Sequence, residues 1–189
     1  MSEWEKVELG SIMETLKGNA FKSSEYTSSG VPIVRVSDFT DNSISTNEIM
    51  YYTEENAKKH PNYVLKHWDI LIQTVGSWQH NPASIVGKVV KVPKELDGSL
   101  LNQNIVKIIP SSIVNNKFLY YRLKDESFKF YNLGCAQGAA NQASITLATI
   151  RKFSFQLPPL STQKRIASIL SAYDDLIEKT SKIEIGKFK

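Results

Sequence analysis

Residues 157–166 read LPPLSTQKRI, and at this stretch the apolar spacing changes from that of a strand to that of a helix. Pro159 disfavours helical backbone at Pro158, and the hydroxyl of Ser161 is suited to cap the free N–H groups of a first helical turn. The stretch therefore predicts a helix that starts just after Ser161 and covers residues 162–185. At about 1.5 Å per residue, this helix would be a rod of roughly 36 Å.

Apolar side chains recur along the predicted helix at alternating spacings of three and four residues, with Thr180 in one slot. That spacing is the heptad pattern of a coiled coil. Further apolar positions widen the seam beyond what a single neighbouring surface requires. We therefore expect a partner along Ile166, Ile169, Leu170, Tyr173, Leu176, Ile177 and Ile183. The alternative is a C-terminal helix that lies back on its own domain.

Residues 1–156 alternate short apolar strands with helical segments, which is typical of an α+β domain. We expect a mixed or antiparallel sheet with flanking helices, followed by the long coiled-coil-type helix. Strands are predicted at residues 4–9, 31–36, 44–52, 68–75, 85–92, 101–109 and 153–157. Helical segments are predicted at residues 12–16, 53–59, 115–131 and 147–150.

Five short motifs follow one another along the chain and together resemble the specificity subunits of type I restriction-modification systems. They are WEKVELG at 4–10, GVPIVRVSD at 30–38, LNQ at 101–103, GCAQG at 134–138 with its continuation to Gln142, and LPPL at 157–160 followed by Gln163. Their order spans nearly the whole chain, which makes the resemblance specific.

The resemblance implies a non-catalytic DNA reader, with a target-recognition domain at residues 1–156 and a conserved spacer helix at residues 157–189. In that family the recognition domain contacts one half of a split duplex target. The conserved helices set the distance between the halves and dock methyltransferase (modification) subunits; a restriction subunit is an open further partner. Members usually carry two of each region, whereas this sequence has one of each. It is therefore expected to pair with a second copy of itself or to be a fragment that contains half of a longer subunit.

Two loops carry side chains suited to reading base edges. The first, residues 76–82, contains Trp78, Gln79, His80 and Asn81. Amides pair bidentately with adenine, and histidine or tryptophan can contact bases and sugars. Alternatively, Trp78 packs beneath its loop and the amides satisfy turn backbone.

The second loop, residues 134–142, places Gln137, Asn141 and Gln142 among glycine and alanine. Small residues allow a backbone to approach another surface closely, and the amides suit base edges. The alternative is an ordinary surface loop.

Four basic residues are candidates for phosphate contacts: Lys22, Arg35, Lys58 and Lys59. Such contacts would give affinity for DNA without sequence choice. Each also has an ordinary interpretation: Lys22 lies in a polar loop, Arg35 could pair with Asp38, and the lysine pair would end a short helix favourably.

Net charge, cysteine content and the length of apolar runs limit the partners and the cell compartment that the sequence fits. The net charge of +4 and pI near 9.0 fit a polyanionic partner without requiring one. The single Cys135 excludes an internal disulfide and indicates a reducing compartment. The opening residues are charged rather than apolar, and no apolar run approaches a membrane span. A cytoplasmic chain without a membrane partner is expected.

No catalytic motif is recognisable. Gly87-Lys88 is followed by Val89 rather than by the serine or threonine of a phosphate-binding loop, and the three histidines have no metal-ligand spacing. We expect neither a cofactor nor a metal. Two other classes stay open: a protein-binding adaptor without DNA readout, and a stand-alone nuclease or methyltransferase with unrecognised motifs.

Overall fold

The computed structural model describes residues 4–78, 84–139 and 141–187, with side chains of the last helix described as far as Ile177 and at Thr180. These ranges contain eleven strands and five α-helices. The strands are β1 (Glu5–Glu8), β2 (Met13–Lys17), β3 (Val31–Val34), β4 (Met50–Tyr52), β5 (Ile70–Gln73), β6 (Val75–Gly76), β7 (Val89–Lys91), β8 (Leu100–Leu101), β9 (Ile105–Pro110), β10 (Ala143–Ser144) and β11 (Ser154–Leu157). The helices are α1 (Glu54–Ala57), α2 (Asn116–Lys124), α3 (Glu126–Cys135), α4 (Leu147–Lys152) and α5 (Leu160–Lys187).

An antiparallel sheet in the order β2-β9-β5-β7 forms the centre of the domain. All four side chains of β5 are buried. Ile70 and Ile72 contribute to one hydrophobic core and Leu71 to a second. Because successive side chains of a strand point to opposite faces, the sheet separates the two cores. The apolar run of this strand reflects burial on both faces.

A second sheet, in the order β4-β3-β8, is mixed, because β3 runs antiparallel to β4 and parallel to β8. Ile33 and Tyr52 of this sheet pack together with Phe21 in a third, smaller hydrophobic core. The short helix α1 follows, and the hydroxyl of Thr53 accepts a hydrogen bond from the Asn56 N–H. The prediction of an α+β domain with a mixed or antiparallel sheet is confirmed.

The predicted helical turn at residues 12–16 is wrong. Met13–Lys17 is strand β2, which pairs along its whole length with β9. Backbone hydrogen bonds to a distant strand replace those of a local turn, and Ile12 and Met13 are both buried. The apolar spacing of three residues therefore reflected tertiary pairing, which local periodicity does not detect.

The predicted helix at residues 115–131 is two helices, α2 and α3, which meet at Asp125. This residue has extended backbone angles, and its side chain accepts a hydrogen bond from the Ser127 N–H at 3.0 Å. Hydrogen bonds from the hydroxyl and the N–H of Ser127, together with the contact with Arg122, lower the pKa of Asp125. A capping carboxylate thus ends one helix and starts the next.

Helix α5 begins at Leu160, two residues before the predicted start, so Ser161 lies within its first turn and not ahead of it. The Gln163 N–H donates to the carbonyl of Pro159 at 3.0 Å. Strand β11, immediately before the helix, pairs antiparallel with β1, from Glu5–Leu157 to Glu8–Ser154. Both ends of the domain therefore meet at the base of α5. No helix in the described ranges has the length and apolarity to cross a membrane.

Candidate nucleic-acid interface

The two loops that the sequence singles out lie side by side. Strands β6 and β10 pair antiparallel, with Gly76 opposite Ala143 and Val75 opposite Ser144. Ser144 also exchanges backbone hydrogen bonds with Gln137, at 2.8 and 3.0 Å. Loops that are far apart in the chain thus form one continuous surface, which we call the joined loops (residues 76–78, 84, 136–139 and 141–144).

Trp78 connects the two halves of the joined loops. Its indole Nε1–H donates to the carbonyl of Ala139 at 2.8 Å, and its ring packs partly buried against the main core. This contact matches the structural alternative, in which the tryptophan supports its own loop. A DNA contact by the same side chain stays a prediction, as do those of Gln79, His80 and Asn81, which lie outside the described residues.

Exposed amides cover the other half of the joined loops, where Gln137, Asn141 and Gln142 all face solvent. The loop turns back at Gly138, whose φ of +146° is disfavoured for other residues. A Cβ at this position would lie only 2.0 Å from the Gln142 carbonyl oxygen. The glycine therefore permits the tight turn that exposes the two amides at 141 and 142.

Gln73 supports the joined loops from below, a role that the sequence did not reveal. Its side chain is fully buried, and its Nε2 donates to the carbonyls of Val75 at 2.9 Å and Ser84 at 3.1 Å. It therefore holds both ends of the loop that contains Trp78. The available signal was one polar residue at the end of a continuous apolar strand.

Replacing Gln73 with leucine should leave the Val75 and Ser84 carbonyls without this donor. Each carbonyl left without its donor costs about 1–3 kcal/mol, but both contacts are only part-buried and leucine also removes Gln73 Oε1, which is buried without a hydrogen-bond partner. We therefore expect the free energy of unfolding to fall by about 1–3 kcal/mol. Urea denaturation measures the change. The exposed Gln103→Leu is the matched control, for which we expect a change below about 0.5 kcal/mol. Equal stabilities for the two variants would contradict the supporting role of Gln73.

Arg35 has partners inside the domain. Its Nη2 lies 2.8 Å from Asp38 Oδ1 and 2.7 Å from the carbonyl oxygen of Glu48, while its Nε donates to Asp38 Oδ2 at 3.3 Å. Asp38 is buried, and the hydrogen bond from Arg35 to the Glu48 carbonyl joins this segment to a second one. The guanidinium thus binds groups within the domain, and its contact with DNA stays a prediction.

The three predicted lysines lie near a separate cavity of about 250 Å³. Lys22 and Lys59 line it together with Tyr52 and His60, and Lys58 is exposed beside them. Lys22 forms an ion pair with Glu25 at 3.7 Å, and Lys59 forms one with Glu55 at 3.9 Å. Such exposed pairs contribute little to stability. Burial raises the pKa of Tyr52, and its hydrogen bond with Glu25 raises it further.

Helix α5 presents two different faces. Gln163 and Ala167 are buried against the domain, and Ile166 is half-buried there. At about 100° per residue, Ile169 and Leu176 lie roughly 180–200° around the helix from Ala167. The exposed apolar seam consists of Ile169 (51% exposed), Leu170 (37%), Tyr173 (62%), Leu176 (59%) and Ile177 (63%). The predicted position Ile183 has no described side chain.

Asp174 makes the last described contact between α5 and the domain. Its Oδ2 accepts from Lys91 at 2.8 Å and from the Tyr121 hydroxyl at 2.9 Å. Burial raises the pKa of Tyr121, and the bond to Asp174 adds to this effect. The helix therefore lies back on its domain through one face, while the seam remains exposed on another.

The arrangement of a loop-bearing domain and a long helix can be compared with known proteins. The family model described as the type I restriction modification DNA specificity domain matches residues 1–187. The chain belongs to this family. Both the resemblance drawn from the five motifs and its assignment to type I specificity subunits are therefore confirmed.

The similar proteins are longer than this chain. The type I restriction enzyme MjaVIII specificity subunit of Methanocaldococcus jannaschii is 29% identical over 192 residues, which cover 99% of this chain and 44% of the relative. The chain thus spans less than half of that subunit. The crystal structure of the HsdS subunit from Thermoanaerobacter tengcongensis has a TM-score of 0.61 at 19% identity, covering 96% of this chain and 40% of that one. The type I S subunit from M. genitalium gives 0.63 at 16% identity, with 95% and 41% covered. These two structures show the same fold.

Proposed function

We propose that this specificity domain reads one half of a bipartite duplex DNA target, as a non-catalytic part of a type I restriction-modification complex. The observation that carries the proposal is the joining of two amide-bearing loops, through the β6–β10 pair and the bond from Trp78 to Ala139. A surface that presents several amides on a fixed backbone suits base-edge recognition better than one mobile loop does.

Sequence choice and affinity would come from different residues. The amides of Gln137, Asn141 and Gln142 would contact base edges, where one good bidentate pair discriminates by about 1–3 kcal/mol. Lys22, Lys58 and Lys59 would contact phosphates, which add affinity but no sequence information. Binding should therefore weaken steeply with salt while the preferred sequence stays the same.

The exposed seam of α5 would bind a second conserved-region helix, from another copy of this chain or from the other half of a longer subunit. Water-exposed apolar side chains at heptad spacing favour such pairing, because each stabilises by about 1.5–3 kcal/mol when fully buried. Two identical copies would read a palindrome with a fixed gap, since protein symmetry is mirrored in the target. The paired helices would also dock the methyltransferase subunits, with a restriction subunit as a further partner.

Selection of bound sequences from a random duplex pool tests the reading function. We expect the full chain to enrich a defined half-site, and Gln142→Ala to relax one position of it by about 1–3 kcal/mol, or roughly 5- to 150-fold. Gln156→Ala is the control, because Gln156 is exposed on β11 outside the joined loops.

An unchanged preference in Gln142→Ala and Asn141→Ala would remove this loop from the readout. Failure of the wild-type chain to bind duplex DNA at any salt concentration would instead favour the adaptor, in which the domain binds protein. Nicking or methylation of DNA by the purified chain, given magnesium or a methyl donor, would reject the non-catalytic assignment.

A further inference from the structure

A cavity of about 280 Å³ lies beside the joined loops, between the start of β7, the end of α2 and the start of α3. Ile85 and Gly87 form part of its lining. Ile85 is bridged to Ser77, the residue before Trp78. DNA that contacts the joined loops would therefore pass close to this cavity.

Among the described charged residues that line the cavity, three lysines, Lys88, Lys124 and Lys129, outnumber the two carboxylates, Asp41 and Glu126. Lys129 and Glu126 form an exposed pair at 3.2 Å. The side chain of Lys88 is only 7% exposed, and its Nζ is 3.3 Å from Asp41 Oδ1. The side chain of Asp41 is 85% exposed.

Lys124 reaches the same turn as Lys88. Its Nζ donates to the carbonyl of Asp41 at 2.7 Å and to Asn42 Oδ1 at 3.2 Å, both of which are uncharged oxygens. Burial lowers the pKa of Lys124, and the positive charge of Lys88 lowers it further. Two ammonium groups thus converge in a partly desolvated cavity, where an anion would stabilise both.

On the basis of the DNA-reading function proposed above, we propose that Lys88 and Lys124 together bind one backbone phosphate beside the joined loops. The ammonium group is a compact point charge suited to phosphate. A phosphate held here would fix the register of the duplex against the protein, because phosphate contacts position while base contacts specify. The exposed amides of Asn141 and Gln142 would then meet a defined base step.

The test uses Lys88→Met, Lys124→Met and the double variant of the full chain, with a random-sequence duplex titrated at several salt concentrations. Because affinity falls with salt, the slope of log affinity against log salt is negative, and each lost phosphate contact should reduce its magnitude by about 0.9. Both lysines are needed to hold the same phosphate, so each single variant should reduce the magnitude of the slope by about 0.9. The double variant should reduce it by the same amount, about 0.9, and not by about 1.8. Methionine preserves the apolar stem, and thermal unfolding of each sample verifies folding.

Two controls separate charge from shape and from general electrostatics. Lys124→Arg keeps the charge and should keep the wild-type slope; a slope whose magnitude is reduced by about 0.9 would overturn the proposal. Lys94→Met removes an exposed lysine that does not line the cavity, and its slope should also be that of the wild type.

The outcomes distinguish this site from the reading function itself. Wild-type DNA binding with unchanged slopes in the lysine variants overturns the phosphate site alone, and a loss of about 1.8 in the double variant overturns the shared phosphate. Absence of DNA binding by the wild type overturns the reading function. Inorganic phosphate provides a further arm: a raised thermal midpoint in the wild type but not in Lys124→Met, with DNA slopes unchanged, would assign the cavity to free phosphate and reject the backbone contact.

Discussion

Gln163→Met is expected to lower the free energy of unfolding by about 3–5 kcal/mol. The Gln163 side chain is 1% exposed and makes three hydrogen bonds. Its Oε1 accepts from the Asn115 N–H at 2.8 Å. Its Nε2 donates to the carbonyls of Ile113 at 3.2 Å and Pro158 at 2.8 Å.

These bonds connect three segments: the turn before α2, the diproline linker and the first turn of α5. Methionine has a similar volume but satisfies none of the three backbone groups, and each orphaned group costs about 1–3 kcal/mol. The helix should therefore loosen where it leaves the domain. Urea denaturation measures the total loss, and hydrogen exchange of the Asn115 amide reports the local opening.

Gln156→Met is the matched control, because it makes the same substitution at an exposed position two residues before the diproline. Its effect should stay below about 0.5 kcal/mol. If Gln163→Met were as stable as the control, the buried amide would not hold the helix to the domain, and the orientation of α5 would have to come from Ala167 and Asp174.

Ile169→Asp combined with Leu176→Asp is expected to weaken pairing of the chain by at least about 100-fold, while the fold of each copy is retained. Both side chains are more than half exposed, so the domain itself loses little. In a paired seam they would be buried, and four carboxylates would replace four apolar groups per dimer. A loss of about 3 kcal/mol or more corresponds to that factor.

Sedimentation over a concentration series measures this pairing. Ser161→Asp combined with Ser168→Asp adds the same charge at exposed positions off the seam and should leave association unchanged. A wild-type chain that stays monomeric at high concentration would reject self-pairing and, with it, a palindromic target. Equal weakening by both double variants would attribute the effect to net charge instead of to the seam.

Local patterns predicted much of the fold because the relevant contacts lie within a few residues. Thr53 caps a helix whose first turn is acidic, and the apolar runs before and after Trp78 are strands, as expected. Elements that depend on distant partners were missed. Residues 12–16 have helical spacing but pair with β9, and Asp125 interrupts a helical pattern because its side chain caps the next helix.

The candidate site shows the same division. Residue chemistry identified both amide-bearing loops, since amides among small residues are visible in any sequence. Their contact was not predictable, because it depends on the pairing of β6 with β10 and on the Trp78 hydrogen bond. Arg35 and Gln73 likewise acquire their roles from partners that folding brings to them.

The sequence alone determined the family, the two amide-bearing loops and the amphipathic helix after the diproline, because each depends on residue types at short, regular spacings. The tertiary structure decided which face of α5 stays exposed, which loops meet, and where Lys88 and Lys124 converge. Those outcomes depend on long-range packing, in which residues far apart in the chain compete for the same buried surface. No local spacing encodes the result of that competition.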